Sequence, residues 1–505
     1  MKKFLKILHL ISLFIVSIIF IGSIFVKIFF SKVNLEEVMF YLVNGIGEVD
    51  TSAFITGTVI CLPLFTIFYL LVCSIFYDMS FGKLKIKTKK GKQIYPFNLS
   101  RKFKGSITIC FTFLTIILLL WAINLHEYII YSKSPSNFIE DNYVNPKETE
   151  IKFKDKRNLI VIFVESLETS LFTKEQGGYW NYEVIPELYK LLNEDDVISF
   201  YNKDISESYN MISGSSWTTA SLFANTSGLP FKIRINHNGY HSNKFMNGTY
   251  TLGDLLKDNG YYNEFISAAK TSFGGLKELY TRHGDYEIID LNSLDKYGFS
   301  TTKSDLGKWG FNDNYMFEIA KKRLDELSKK KQPFNLQLAS IDTHFIDGYV
   351  GNYSETKFKH QYENAYATTS RLTYEFVEWV RKQDYYKDTT IVIVGDHLSM
   401  QDNFFNKKNA KKRYVYGCII NPIKKTDNNK NRVITPLDTY PTIVASIGGK
   451  IKGDKLGLGV NLFSDKKTLA EEYGLKYLDK ELKKKSSFYN TKLIDDKYLN
   501  KVEKG

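Results

Sequence analysis

Residues 53–77 contain no charged side chain, and the stretches 7–30 and 105–125 are nearly as apolar. About 20 apolar residues suffice to cross a hydrocarbon core about 30 Å thick. Backbone in that core has to satisfy its own hydrogen bonds, so each stretch is expected to be a membrane-spanning helix. The first is too long for the apolar region of a signal peptide and lacks a small-residue cleavage site. Basic residues give a direction. Lys2, Lys3 and Lys6 precede the first stretch, and Lys83, Lys85, Lys87, Lys89, Lys90, Lys92, Arg101, Lys102 and Lys104 precede the third. The interval between the first two holds Lys32 against Glu36, Glu37, Glu48 and Asp50. Positive segments stay in the cytoplasm. The N-terminus is therefore expected in the cytoplasm, and everything after about residue 131 outside it.

The net charge of +13 does not point to nucleic acid, because much of the excess sits in the interval before the third stretch and in a lysine-rich tail. Three of the four cysteines, Cys61, Cys73 and Cys110, lie in the apolar stretches, so Cys418 has no partner for a disulfide in the rest of the chain. The expected organisation is a membrane domain over 1–132, a polar linker over 133–157, a catalytic domain over 158–465 and a basic C-terminal tail over 466–505 with no chemistry of its own.

Three apolar runs in the catalytic domain end in ionisable residues. Residues 159–164 are rich in Ile and Val and stop at Glu165; 389–395 stop at Asp396 and His397; 335–341 stop at Asp342 and His344. Short runs of this kind read as strands buried on both faces. Helical patterns between them (186–193, 251–260, 311–328, 362–383, 435–448) imply an α/β fold with a mainly parallel sheet. In such a sheet ligands bind at the carboxyl ends of the strands. A buried carboxylate is costly unless paired or bound to metal. Glu165, Asp396 and His397 offer hard oxygens and one imidazole, which suits a divalent ion such as Zn²⁺ or Mn²⁺. Residues 214–224, GSSWTTASLFA, read as small residues leading into a helix start. Thr218 or Thr219 there is a candidate nucleophile, or simply a helix cap. His237, His241, His283 and His360 read as surface residues, and Trp309 as core.

Several segments together resemble the phosphoglycerol transferases of the alkaline-phosphatase/sulfatase superfamily, and among them the periplasmic-glucan (membrane-derived-oligosaccharide) phosphoglycerol transferase I group. They are VESLE at 164–168, GSSWTTA at 214–220, SGLPF at 227–231, FMNGTYTLGDLL at 245–256, AAKTSFGGL at 268–276, DTHFIDGY at 342–349 and GDH at 395–397. Lipoteichoic acid synthases are similar more distantly. The resemblance implies a sulfatase-like domain outside the bacterial inner membrane, with Thr218 as nucleophile and as a metal ligand beside Glu165, Asp396 and His397. It implies substrate contacts from His344, Lys270, Phe273 and Trp217. The implied cofactor is a divalent metal ion, Mn²⁺ or Mg²⁺, or Zn²⁺. The implied reaction moves sn-glycerol 1-phosphate from phosphatidylglycerol to a surface or periplasmic glycan through a covalent threonine intermediate. One departure is Phe345–Ile346, where the family usually has Gly-Pro after the histidine. A phosphoethanolamine transferase and a non-catalytic glycan-binding protein are the alternatives. A sulfatase proper requires a Cys or Ser in a C/S-x-P-x-R context, and residues 61–63 (Cys-Leu-Pro) match it only partly.

Overall fold

The computed structural model describes residues 2–29, 51–77, 86–87, 93–94, 101–232 and 245–494. The expected loop charges at 31–50, Lys83, Lys85, Lys89, Lys90 and Lys92, together with His237, His241 and the end of the tail, lie outside the described residues. The chain divides into two compact units, one of apolar helices ending at Ile130 and one comprising Tyr131–Gly505.

The first unit contains α1 (Lys2–Phe29), α2 (Thr51–Tyr77) and α3 (Arg101–Ala122). Leu13 and Val72 are buried where α1 meets α2, and Phe14 packs edge-on against Phe65 at 5.1 Å. The outer faces carry exposed Ile109, Phe113 and Ile116, side chains that a water-facing helix would not present in a row. Ile7–Ile28 and Gly105–Ala122 are long and apolar enough to cross a membrane. On α2 the apolar part among the described residues, Thr58–Cys73, is shorter than a span. Two of the three expected spans therefore have the required length among the described residues.

The second unit is built on a seven-stranded sheet. Its strands are β1 (Asn158–Val164), β2 (Val197–Ile198), β3 (Tyr262–Ser267), β4 (Glu287–Ile289), β5 (Phe334–Ala339), β6 (Thr389–Gly395) and β7 (Gly417–Ile420). The spatial order is β2-β7-β6-β1-β5-β3-β4. The pairs β6–β1, β1–β5, β5–β3 and β3–β4 are parallel, and β7 runs antiparallel to both neighbours. The central strand β1 is flanked by β6 and β5, with Val164 opposite Gly395 and Phe163 opposite Ala339. That register brings the ends of all three ionisable-tipped strands to one edge. Helices α4 (Thr218–Ser227), α5 (Asp313–Leu327), α6 (Gln361–Arg381), α7 (Thr439–Ser446) and α8 (Leu475–Lys483) join the sheet. Leu222, Phe223, Ile443 and Val444 pack in one apolar cluster with Leu159, Val161 and Val394. Ile319, Leu324, Phe376 and Val377 pack in a second with Ile160, Ile162 and Ile391. Alternate residues of β1 thus face opposite clusters, so the strand is buried on both sides.

Two expected segments differ. In the linker 133–157, Phe138 and Ile139 are buried and Ile151–Phe153 pairs antiparallel with Gly449–Ile451, so this stretch belongs to the fold. The tail is not peripheral up to Ile494. Leu469, Leu478, Leu482, Tyr489 and Leu493 are buried in the same cluster as α4. Lysines between them conceal a helical apolar spacing. Leu482→Ala is expected to cost about 2–5 kcal/mol of stability, the range for truncating a buried leucine. Denaturant unfolding measures this, and a loose tail would show no change.

Candidate active site

Glu165 is the first residue after β1, and Asp396 and His397 are the first two after β6. Their ligand atoms lie within 4.8 Å of one another, and all three residues are buried. Nε2 of His397 is 3.6 Å from Glu165 Oε1 and 3.4 Å from Asp396 Oδ2. Nδ1 of His397 lies 2.8 Å from the Leu398 carbonyl oxygen. A carbonyl only accepts, so Nδ1 carries a proton, and in the neutral ring Nε2 is the nitrogen with a lone pair for a metal ion. Burial, and then the charge of Glu165, push the Asp396 carboxyl up to about 7. Two buried acids facing one lone pair are a poor arrangement alone and a good one around a cation. The donor set therefore fits a divalent metal ion.

Thr218 is the first residue of α4. Its Oγ1 is 3.4 Å from Glu165 Oε2 and 3.4 Å from His397 Nε2. The helix cap is Trp217, whose side chain makes no capping bond. Thr218 is therefore not acting as a cap, and the positive end of α4 is directed at the cluster. The neighbouring hydroxyls are placed elsewhere: Thr219 Oγ1 donates to the Gly274 carbonyl at 2.6 Å, and Ser215 Oγ donates to the Ile212 carbonyl at 2.8 Å. Thr218, unlike Thr219 and Ser215, has its oxygen within reach of both Glu165 and His397.

Small polar residues that the sequence did not single out hold this arrangement. Ser166 has a left-handed backbone (φ 52°). Its Oγ donates to Glu165 Oε1 at 2.6 Å, and its N–H donates to Asp396 Oδ1 at 2.7 Å. Ser221, one turn into α4, donates to the Asp396 carbonyl oxygen. Thr343 Oγ1 donates to the Glu165 carbonyl oxygen, tying the DTH loop to the same point. Behind the cluster, the Arg413 guanidinium pairs with the fully buried Glu168, which also accepts from the Ser399 N–H at 2.8 Å. The Ser221→Ala variant is expected to fold but to lose about 10- to 100-fold in kcat, because a small displacement of Thr218 is costly. A steady-state assay beside a thermal melt checks this.

His344 follows β5 in the same edge loop, half-buried. Nδ1 lies 2.8 Å from the Phe345 carbonyl oxygen, and the Trp309 ring packs edge-on at 4.8 Å. Trp309 thus packs at the edge of the core cluster that holds Phe311 and Ile341 and also neighbours His344. It lies in a turn that bridges through Gly310 to Ala269, beside Lys270. The Lys270–Phe273 loop is held by Asp290, whose Oδ2 accepts from Thr271 N and Oγ1 at 2.8 and 2.7 Å, and by the Thr219–Gly274 bond. The structure therefore places Lys270 and Phe273 in a loop tied to the start of α4. Trp217 is buried against Phe231 at 6.2 Å. His283 is buried rather than at the surface, between Asp254 and the Phe245 carbonyl. His360 caps α6 instead of joining the site.

The family model for Sulfatase matches residues 157–449, more than half of the chain. The chain belongs to the Sulfatase family. This agrees with the resemblance carried by its motifs and with an α/β fold whose central sheet is mostly parallel. Among curated proteins, phosphoglycerol transferase I of Escherichia coli (strain 55989 / EAEC) is 27% identical over 347 residues, 66% of this chain and 41% of that protein. The chain thus matches about two fifths of the length of such relatives. Solved structures similar to this Sulfatase-family chain include the lipoteichoic acid synthase LtaP of Listeria monocytogenes, 17% identical, covering 65% of this chain and 81% of that one, with a TM-score of 0.49. Another is Streptococcus pyogenes phosphoglycerol transferase GacH in complex with sn-glycerol-1-phosphate, 16% identical, covering 73% and 92%, with a TM-score of 0.43.

Proposed function

We propose that this protein transfers sn-glycerol 1-phosphate from phosphatidylglycerol to a glycan hydroxyl outside the cytoplasmic membrane. The observation that carries the reading is Thr218 Oγ1, 3.4 Å from both a buried carboxylate and a buried imidazole lone pair at the positive end of a helix. The similarity to phosphoglycerol transferase I supports the choice of head group.

Glu165, Asp396, His397 and Thr218 would hold the divalent ion, Mn²⁺ or Mg²⁺, or Zn²⁺. When bound, it supplies positive charge that lowers the cost of an ionised hydroxyl and of charge on phosphoryl oxygens. Glu165 orients the Thr218 hydroxyl through Oε2. Thr218 Oγ1 attacks the phosphorus, the bond to the diacylglycerol oxygen breaks, and diacylglycerol leaves with a proton. His344 and Lys270 contact the phosphate, and Phe273 and Trp217 shape the head-group side. The acceptor hydroxyl then attacks the phosphothreonine ester, and Thr218 recovers its proton. Splitting the transfer in two lets one site serve donor and acceptor in turn.

In this reading 7–30, 53–77 and 105–125 are three spans, the N-terminus is cytoplasmic, and the catalytic unit faces the periplasm or cell exterior. Anchoring confines enzyme and lipid donor to one plane and raises their effective concentration. The full chain, reconstituted with divalent ion, is expected to release diacylglycerol from phosphatidylglycerol and not from phosphatidylethanolamine. Release only from phosphatidylethanolamine would assign the protein to phosphoethanolamine transfer, and release from neither would contradict both.

A further inference from the structure

Helix α8 is fastened to the first residues of the second unit. The Lys485 N–H donates to the carbonyl oxygens of Tyr131 and Ser134 at 3.2 and 2.9 Å, and the Ser136 N–H donates back to the Lys485 carbonyl at 2.8 Å. Ser136 Oγ donates to Glu481 Oε2 at 2.7 Å, and the Lys483 ammonium lies 5.7 Å over the Tyr131 ring. Tyr131 is only nine residues past Ala122, the end of α3.

The two faces of α8 differ sharply. Leu478, Glu481 and Leu482 are buried. At about 100° per residue, Lys476, Tyr477 and Lys480 fall within one arc on the opposite side. That arc is exposed, with Tyr477 49% and the preceding Tyr473 42% accessible. The two rings stack at 6.0 Å, and both meet Phe138 edge-on at 5.3 and 6.0 Å. The acids of the helix are engaged: Asp479 takes Ser213 N and Oγ and Lys483, and Glu481 takes Ser136 and Lys484. Glu472 is exposed beside Tyr473. Lys476 and Lys480 make no close ion pair among the described residues, although the charge of Lys480 reaches Glu481 and helps hold its carboxyl down.

Exposed tyrosines interleaved with exposed lysines match the chemistry of a bilayer's headgroup layer, where aromatic rings and basic side chains both collect. We propose that Tyr473, Tyr477, Lys476 and Lys480 form a docking face for an anionic lipid surface. The inference rests on reading Gly105–Ala122 as a membrane span. The face gives the catalytic unit a contact with the bilayer in addition to its covalent connection to the span.

The test uses the full chain reconstituted in vesicles of phosphatidylcholine alone, or of phosphatidylcholine and phosphatidylserine in equal amounts. Each carries a photoactivatable phospholipid with its reactive group near the head group. Phosphatidylserine is anionic but has no glycerol head group, so the result does not depend on donor choice. Peptides spanning 473–480 are expected to be labelled at least about fivefold more in the anionic vesicles. The Lys476→Glu/Lys480→Glu variant is expected to fall to the phosphatidylcholine level, with its melting temperature and the labelling of α3 unchanged. Labelling of α3 without 473–480, or equal labelling in both vesicles, overturns the docking face alone. Protection of 473–480 by a soluble polyanionic glycan, without lipid labelling, assigns the face to a glycan and also overturns it. No labelling of α3 overturns the span reading and the docking face together.

Discussion

Thr218→Ala is expected to lower phosphoglycerol transfer by at least about four orders of magnitude, with the fold intact. The proposed covalent step depends on Thr218 as the hydroxyl at the start of α4 that meets both Glu165 and His397. Thr219 and Ser215 are committed to carbonyl oxygens, and a water molecule would hydrolyse the donor instead of storing the head group. Removing the nucleophile of a covalent mechanism typically costs this much. Thr218→Ser retains the oxygen and is expected to keep measurable activity. An alanine variant within tenfold of the native rate would remove Thr218 from the mechanism.

Chelation is expected to abolish transfer and to leave a protein whose stability depends steeply on pH. The Asp396 carboxyl stands near 7 in the folded chain against an ordinary value of 3.8. Between those values the folded state binds more protons than the unfolded state, so stability falls as pH rises through the window and levels off above it. Asp313 and Asp438, both pushed up to about 7 chiefly by burial, act in the same direction. A divalent ion binds the charged carboxylate and offsets only the Asp396 share. Mn²⁺ is therefore expected to raise the melting temperature more at pH 7.5 than at pH 5. In Glu165→Gln that gain should vanish along with activity. An equal gain at both pH values would place the ion elsewhere.

The strand edge was legible because β1 and β6 are short runs rich in Ile and Val that stop at ionisable residues, and sheet register did the rest. Helices with a cap and a stop were equally plain: Thr251 forms a capping box with Asp254, and Gly260 follows with φ 79°. What stayed hidden depends on partners far away in the chain. Ser221 matters because it reaches the backbone carbonyl of Asp396, 175 positions away, and Ser166 because its N–H meets the carboxylate of that same residue from the end of β1. A lone serine carries no trace of such a partner. The tail was misread because lysine density outweighed the spacing of Leu475, Leu478 and Leu482.

The most direct measurement is a mass spectrum of the full chain after brief incubation with phosphatidylglycerol and Mn²⁺ in the absence of acceptor. The expected result is a glycerophosphoryl adduct on the peptide containing Thr218, absent from Thr218→Ala and after chelation. Diacylglycerol release with no adduct on Thr218, or an adduct on another residue, would contradict the proposed mechanism.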